Sequence, residues 1–342
     1  MQSHDKGLDW GLTGLNTGSR CQALIGPDGE EPRFYQRLDF RSERSGPFRH
    51  LSGIFDTVST IRHMQSLRSS VIAPLLTCDA VAKAQGTLAL STELLADAQA
   101  SIEPPTGIPG RPTRPYLVPP TDIKHLSLAT IEGRAALIHS IAHIELNAID
   151  LALDIVWRFS RMPDQFYRDW VSIAKEEALH FSLLRDHLLT MGFDYGDFPA
   201  HNSLWEMAER TKHDVLARVA LVPRTLEARG LDASPAVKNK LVSVGDKKAG
   251  EILDVILQDE IGHVAAGNYW YRWICADRQL DPIQTYADLV NQYDAPKLRP
   301  PFNMEARRLA GFDEVELHAL AGQTNHWPCA THRNSSNGII DT

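Results

Sequence analysis

Apolar residues along the chain recur at three- and four-residue steps over four long stretches, the period of an amphipathic helix. The first runs from about Thr130 to Ser160, where Ile138, Ile141, Ala142, Glu145, Ile149, Ala152, Leu153 and Val156 share a face. Pro163 ends it and suits the start of a second helix over 164–190, with Phe166, Trp170, Ile173, Ala174, Glu177, Phe181 and Leu184 inward and Gly192 beyond its end. Ser203-Leu204-Trp205-Glu206 has capping-box spacing and predicts a third helix to about Ala228, with Gly230 as its C′ residue and a kink at Pro223. Ser234-Pro235 predicts a short helix ending near Gly245. The fourth long helix, about 247–275, carries Ile252, Val255, Ile256, Glu260, His263 and the run Tyr269-Trp270-Tyr271-Trp273. No alternation of strand length stands out, so the chain reads as all-α, with four long helices at its core.

Around that core the pattern is weaker. Residues 1–69 are polar and rich in Gly, Arg and Ser, and read as an irregular extension in which Phe34-Tyr35 and Gly53-Ile54-Phe55 could anchor. Over 70–102, Val71, Ile72, Leu75 and Leu76 and then Leu88, Leu90, Leu94 and Leu95 have helical spacing. Pro104 to Pro120 holds seven prolines in seventeen residues, which predicts an extended strap. The expected layout is an extension over 1–69, a helical segment and strap over 70–125, the helical core over 126–292, and a closing part over 293–342. That last part comprises a strap at Pro296, Pro300 and Pro301, a short helix, and a disordered tail after Ala321. Asp281-Pro282 opens a further short helix before it.

Composition narrows the function classes. With 342 residues and 43% hydrophobic content the chain can bury a sizeable core. A net charge of −8 argues against a general nucleic-acid surface, although Arg33 to His50 is locally basic. Cys21, Cys78, Cys275 and Cys329 are scattered, with no Cys-x-x-Cys pair, and read as reduced thiols. Asp5, Lys6, Asp9 and Trp10 lie where a secretory signal would need an apolar run, and no uncharged run of about 18 apolar residues predicts a membrane span. The cytoplasm is the expected location.

The chemistry resides in two matching stretches. Lys175-Glu176-Glu177-Ala178-Leu179-His180 contains acid-Glu-x-x-His, and Gln258-Asp259-Glu260-Ile261-Gly262-His263 repeats it 83 residues later. Residues three apart on a helix are separated by about 60° around the axis, so each Glu and His project side by side. Helix bundles that hold two metals take one Glu from each of two helices and a Glu-x-x-His from each of the other two. Glu145 precedes Glu177 by 32 residues and Glu227 precedes Glu260 by 33, which completes that order with nearly equal spacing. Glu145, Glu177, His180, Glu227, Glu260 and His263 are therefore the candidate metal ligands. Carboxylates can bridge two cations, imidazoles suit iron, and carboxylate-rich sites also suit manganese.

Each element has a plainer reading. One Glu-x-x-His is usually a solvated helix face, and it is the pairing that favours metal. His139 and His143 could imitate a zinc pair, but His143 lies about 200° from Glu145 and reads as a packing group or a support for the ligands. Glu176 and Asp259 could orient ligating histidines or could be exposed flank charges. Glu227, just past Pro223, is the weakest of the six. Trp170, Trp205, Tyr269 and Trp270 read as core and not as a redox relay.

The chain also resembles a known family. Gly133-Arg134-Ala135-Ala136-Leu137-Ile138-His139 leading to Ala142-His143-Ile144-Glu145-Leu146 is similar to the ferritin-like family termed domain of unknown function 455. Phe166-Tyr167-Arg168-Asp169-Trp170, Leu204 to Thr211, Val222-Pro223-Arg224-Thr225-Leu226-Glu227-Ala228-Arg229-Gly230, Asp259 to His263 and Pro300 to Arg307 extend the likeness over roughly 70–321. Pro223 belongs to that pattern. The resemblance implies a ferritin-like four-helix bundle with a di-iron centre, and it brings no particular reaction. The expected function is that of an oxidase or oxygenase with two iron ions (or manganese) and dioxygen, acting on a small organic substrate. An external electron donor would serve it, in a monomer or small homo-oligomer without nucleic-acid or membrane partners. The alternatives are iron handling without turnover and tRNA hydroxylation, against which the acidic balance weighs.

Overall fold

The computed structural model describes residues 66–321. The tail after Ala321, the extension up to residue 65 and the basic stretch from Arg33 lie outside the described residues. The chain forms α1 (Leu67–Ser70), α2 (Ile72–Leu76), α3 (Ala80–Leu88), α4 (Ile131–Arg158), α5 (Asp164–Thr190), α6 (Ser203–Arg210) and α7 (Val215–Leu221). It continues through α8 (Ala228–Ser243), α9 (Lys247–Asp277), α10 (Pro282–Gln292), α11 (Met304–Leu309) and α12 (Glu314–Ala321). A π-helical turn, Val222–Glu227, joins α7 to α8. Among the described residues there is no strand, and one parallel bridge links Leu117 to Ala200. The protein is all-helical, as its periodicity predicts.

Three of the long helices fall where their patterns place them. Thr130 caps α4 by accepting from the Gly133 N–H at 3.0 Å, and Asp246 caps α9 by accepting from Ala249 N–H at 3.0 Å. Pro163 stands at the N-cap of α5. Helix α4 lies along α5, α5 packs on α9, and α9 packs in turn on α7, the π turn and α8. Ile138, Ala142, Ile149 and Val156 of α4, Phe166, Trp170, Ala174 and Phe181 of α5, and Ile252, Ile256, Trp270 and Ile274 of α9 are buried together. Full burial of each large side chain contributes on the order of 1.5–3 kcal/mol. Helix α4 is long and apolar enough by composition to cross a membrane, yet 72% of that stretch is buried inside the fold, where it serves as a core helix.

The third helix departs from expectation. It breaks at Thr211–Asp214, where Asp214 accepts from Leu216 N–H at 3.1 Å and starts α7 afresh. Ser203 is the first helical residue, not the cap, since Asn202 holds that place without a side-chain bond. Gly230 does not end the helix but lies inside α8. Pro235, expected to open a new helix, also sits inside α8. Proline denies its N–H to the carbonyl four residues back, here Leu231, and Asn303 Nδ2 donates to that oxygen instead at 3.2 Å. A contact from 72 residues away thus makes the proline tolerable. Two other expectations also need correction. Helix ends at Leu88, and 90–102 is irregular. Tyr269 is not core: it is 46% exposed, whereas Trp170, Trp205 and Trp270 are buried.

The proline strap is largely without regular structure, with a turn at Thr106-Gly107 and a 3-10 turn at Pro120–Asp122. Val118 N–H donates to Ala200 O at 2.8 Å, and Gly110 N–H to Leu75 O at 2.8 Å. A Cβ at Gly110 would lie 2.1 Å from Leu76 O, so the strap approaches α2 as closely as it does only because a glycine is there.

Candidate metal centre

Helices α4, α5 and α9 and the π turn converge on one buried polar cluster. Glu145 comes from α4, Glu177 and His180 from α5, and Glu260 and His263 from α9, and all five are buried. Three-residue spacing puts each Glu-x-x-His pair on one face, and that face is the one the apolar stripe turns inward. His180 Nδ1 lies 3.1 Å from Glu145 Oε2 and 3.3 Å from Glu177 Oε2. His263 Nδ1 lies 2.9 Å from Glu177 Oε1 and 3.8 Å from Glu260 Oε2. Glu177 therefore turns one oxygen to each histidine. The two imidazoles stand 5.8 Å apart.

The far nitrogens are held crosswise. His180 Nε2 meets Asp259 Oδ2 of α9 at 3.0 Å, and His263 Nε2 meets Glu176 Oε2 of α5 at 2.7 Å. The acid preceding each motif orients the histidine of the other motif. With Nε2 engaged by a carboxylate, Nδ1 is the nitrogen each ring turns to the interior, where it would bind a cation on giving up its proton.

Charge in this cluster is strongly perturbed. Burial, then the charge of Glu177, pushes Glu145 up to about 8. Glu227 rises to about 8 for the same two reasons, and Glu260 rises well above the carboxylate range. Burial opposes the charge on Glu177, but the His263 charge and the bonds from both histidines outweigh it and hold its pKa well down. Burial likewise opposes a charged His180, yet the bonds to Asp259, Glu145 and Glu177 raise it far above the histidine range. His263 is raised too, because the Glu177 charge and the Glu176 bond outweigh its burial. Protons thus neutralise most of a cluster built from four carboxylates.

The donors fit a metal. Glu145, Glu177 and His180 form one set, and Glu177, Glu260 and His263 another, each with donor atoms within 4.8 Å of one another. Bonds of ~2.1 Å at near right angles put neighbouring donors ~3 Å apart, as Glu145 and Glu177 are from His180 and Glu177 is from His263. Glu227 Oε2 and Glu260 Oε2 are buried without a hydrogen-bond partner, and such atoms ordinarily have one. Glu227 as a residue is half-buried, but its Oε2 is sealed from solvent and its carboxyl feels the charges of Glu177, His263 and Glu145. It borders the cluster but joins neither donor set.

His143 does not. Two residues from Glu145, it faces the opposite side of α4, where Nδ1 meets Tyr195 Oη at 2.8 Å and Nε2 meets His201 O at 3.0 Å. It supports the 193–202 loop and touches no candidate ligand. His139 shares that side, with Nε2 accepting from Gly196 N–H at 2.9 Å. His139, His143, Asn147, Asp150 and Asp154 make a buried polar stripe on α4 that the apolar pattern conceals. Their spacing of three and four residues was the available signal.

Burial lowers His139 from 6.5 to about 4, against the charges of Asp197 and Asp194. The folded state then refuses a proton that the unfolded chain accepts. Its contribution is complete above pH 6.5 and is lost as pH falls toward 4, by roughly 3 kcal/mol for a shift of that size. Urea midpoints measured across that window should fall less steeply in His139→Gln, whose amide can still accept from Gly196; equal slopes would refute this.

The fold and the cluster define an all-helical protein with buried Glu and His groups able to bind metal. The family model described as "Protein of unknown function (DUF455)" matches residues 76–318, and the chain belongs to that family. A relative from Haemophilus influenzae (strain ATCC 51907 / DSM 11121 / KW20 / Rd), described as an uncharacterized protein, is 48% identical over 223 residues, covering 63% of this chain and 77% of the relative. No solved structure matches the chain.

Proposed function

We propose that this protein is a two-metal carboxylate oxidoreductase on a ferritin-like four-helix bundle, its helices being α4, α5, the α7–α8 unit and α9. The observation that carries the reading is Glu177, with one oxygen toward His180 and the other toward His263 inside a shell of three further carboxylates. Glu145 and His180 would hold one ion, Glu260, His263 and Glu227 the other, and Glu177 both. A bound pair of iron ions, or manganese with iron, would pass electrons from an external donor to dioxygen and so oxidise a small organic substrate.

The protein's own groups have separate tasks in this reading. Asp259 and Glu176 fix the imidazole tautomers. The apolar shell of Ile149, Ala174 and Ile256 keeps bulk water away. The protons now on the carboxylates leave as cations enter, so uptake is pH-dependent.

Reconstitution with ferrous iron under anaerobic conditions tests the proposal. The expected result is two ions per chain, proton release on loading, and dioxygen consumption once air is admitted. Well under two ions per chain would overturn it. Two ions with no dioxygen consumption would favour iron handling instead.

A further inference from the structure

We propose that Arg224 is a positioning residue that locks the π turn and thereby aims Glu227 into the metal cluster, an inference that rests on the two-metal reading above. Pro223 cannot donate to the carbonyl four residues back, and a widened turn accommodates it. One extra residue in a helical turn rotates everything after it by about 100° relative to an uninterrupted α-helix. Glu227 is the last residue of that turn, so its direction depends on the turn persisting.

A widened turn needs tertiary support. Arg224 is fully buried, with its guanidinium 4.3 Å from the ring of Tyr286, 4.8 Å from Tyr271 and 5.1 Å from Phe312. Its Nη2 pairs with Glu316 Oε1 of α12. Thr225 Oγ1 adds a 2.7 Å bond to Ala220 O and another 2.7 Å contact with Tyr286 Oη. On the other side, a Cβ at Gly267 of α9 would stand 3.0 Å from Pro223 Cβ, so the turn is backed by bare helix. Arg224 thus joins α9, α10 and α12 to the π-helical turn that precedes α8.

Arg224→Met tests this cleanly. It keeps most of the side-chain volume and leaves Glu316 with Arg272 Nη2 at 3.2 Å and the Asp313 N–H at 3.0 Å, so no buried carboxylate is stranded. Anaerobic ferrous titration should show one ion held as in wild type and the second weakened about 10- to 100-fold, the usual effect of losing a ligand's support. The control is Arg68→Met, which removes an equally buried guanidinium that bonds the Val156 and Trp157 carbonyls at the far end of α4, away from the π turn. It should lower the melting temperature with both ion affinities unchanged. Should Arg224→Met fail to fold, the double variant Arg224→Met/Glu316→Gln removes the pair as a unit and takes its place. Two ions bound with wild-type affinity in a folded Arg224 variant would overturn the inference while leaving the metal pair standing. Fewer than two ions in wild type would overturn the metal reading itself, and this inference with it.

Discussion

Replacing Glu177 with alanine should remove both metals from a chain that still folds. The other five candidate ligands each serve one side of the cluster, whereas Glu177 faces both histidines, at 3.3 Å through Oε2 and 2.9 Å through Oε1. Without it, the first ion keeps only Glu145 and His180, 3.1 Å apart, and the second keeps His263, Glu260 at 3.8 Å from it, and Glu227, so each side loses the donor they share. The same substitution removes the one carboxylate held ionised beside the two imidazoles. Glu145→Ala and Glu260→Ala should instead cost one ion each. Metal quantification after anaerobic reconstitution, with far-UV circular dichroism to confirm helix, separates these outcomes. Two ions retained by Glu177→Ala would end the two-metal proposal, and a loss of one ion from each of the three variants would end the special role of Glu177.

That gradient could not be read from the sequence, although the cluster could. Glu177 with His180 and Glu260 with His263 are each set by a single helical turn, so spacing alone puts them side by side. Glu145 and Glu227 follow from the regularity of the spacing. The crossing of Glu176 to His263 and Asp259 to His180 spans 87 and 79 residues, and no local pattern distinguishes an orienting acid from a solvated one. The same limit explains the third helix. Thr211 to Asp214 contains neither glycine nor proline, and the break there is shaped by Arg218 reaching back to Thr211 Oγ1 at 3.0 Å. Pro235 reads as a helix start until Asn303 is known to bond the Leu231 carbonyl. Short-range periodicity was legible in α4, α5 and α9, where one apolar face decides the structure. It failed where a distant polar side chain satisfies the backbone.

Asp154 should be the largest single contributor to stability among the buried charges. It is fully buried, takes Arg158 Nε at 2.9 Å and Nη2 at 2.7 Å, accepts from Trp157 Nε1 at 3.2 Å, and pairs with Arg218. Burial opposes its charge, but Arg218 and Arg158 outweigh that and hold its pKa below the usual value. Its stabilisation is therefore present above the ordinary carboxylate range and is lost as pH falls through the folded pKa. In Asp154→Ala, Arg158 can turn to solvent, but Arg218 cannot. It would keep Thr211 and the Ala208 carbonyl as hydrogen-bond partners with no counter-charge. Stranding one buried partner costs about 3–5 kcal/mol, which lowers the melting temperature by roughly 4–7 °C in a chain of this size. The neighbouring pair tests the reasoning. Asp150 is bound to Lys83, yet burial outweighs the lysine and pushes it up to about 6, so its charged form is barely favoured near neutrality. Asp150→Asn keeps an amide oxygen to accept from Lys83 Nζ, which also donates to the Leu75 carbonyl at 3.2 Å, so it should cost less than Asp154→Ala in urea unfolding. The double variant Asp154→Leu/Arg218→Met should recover most of the loss, because removing both charges spares the fold the unpaired one. A double variant as unstable as Asp154→Ala would mean that Arg218 contributes by packing, not by its charge.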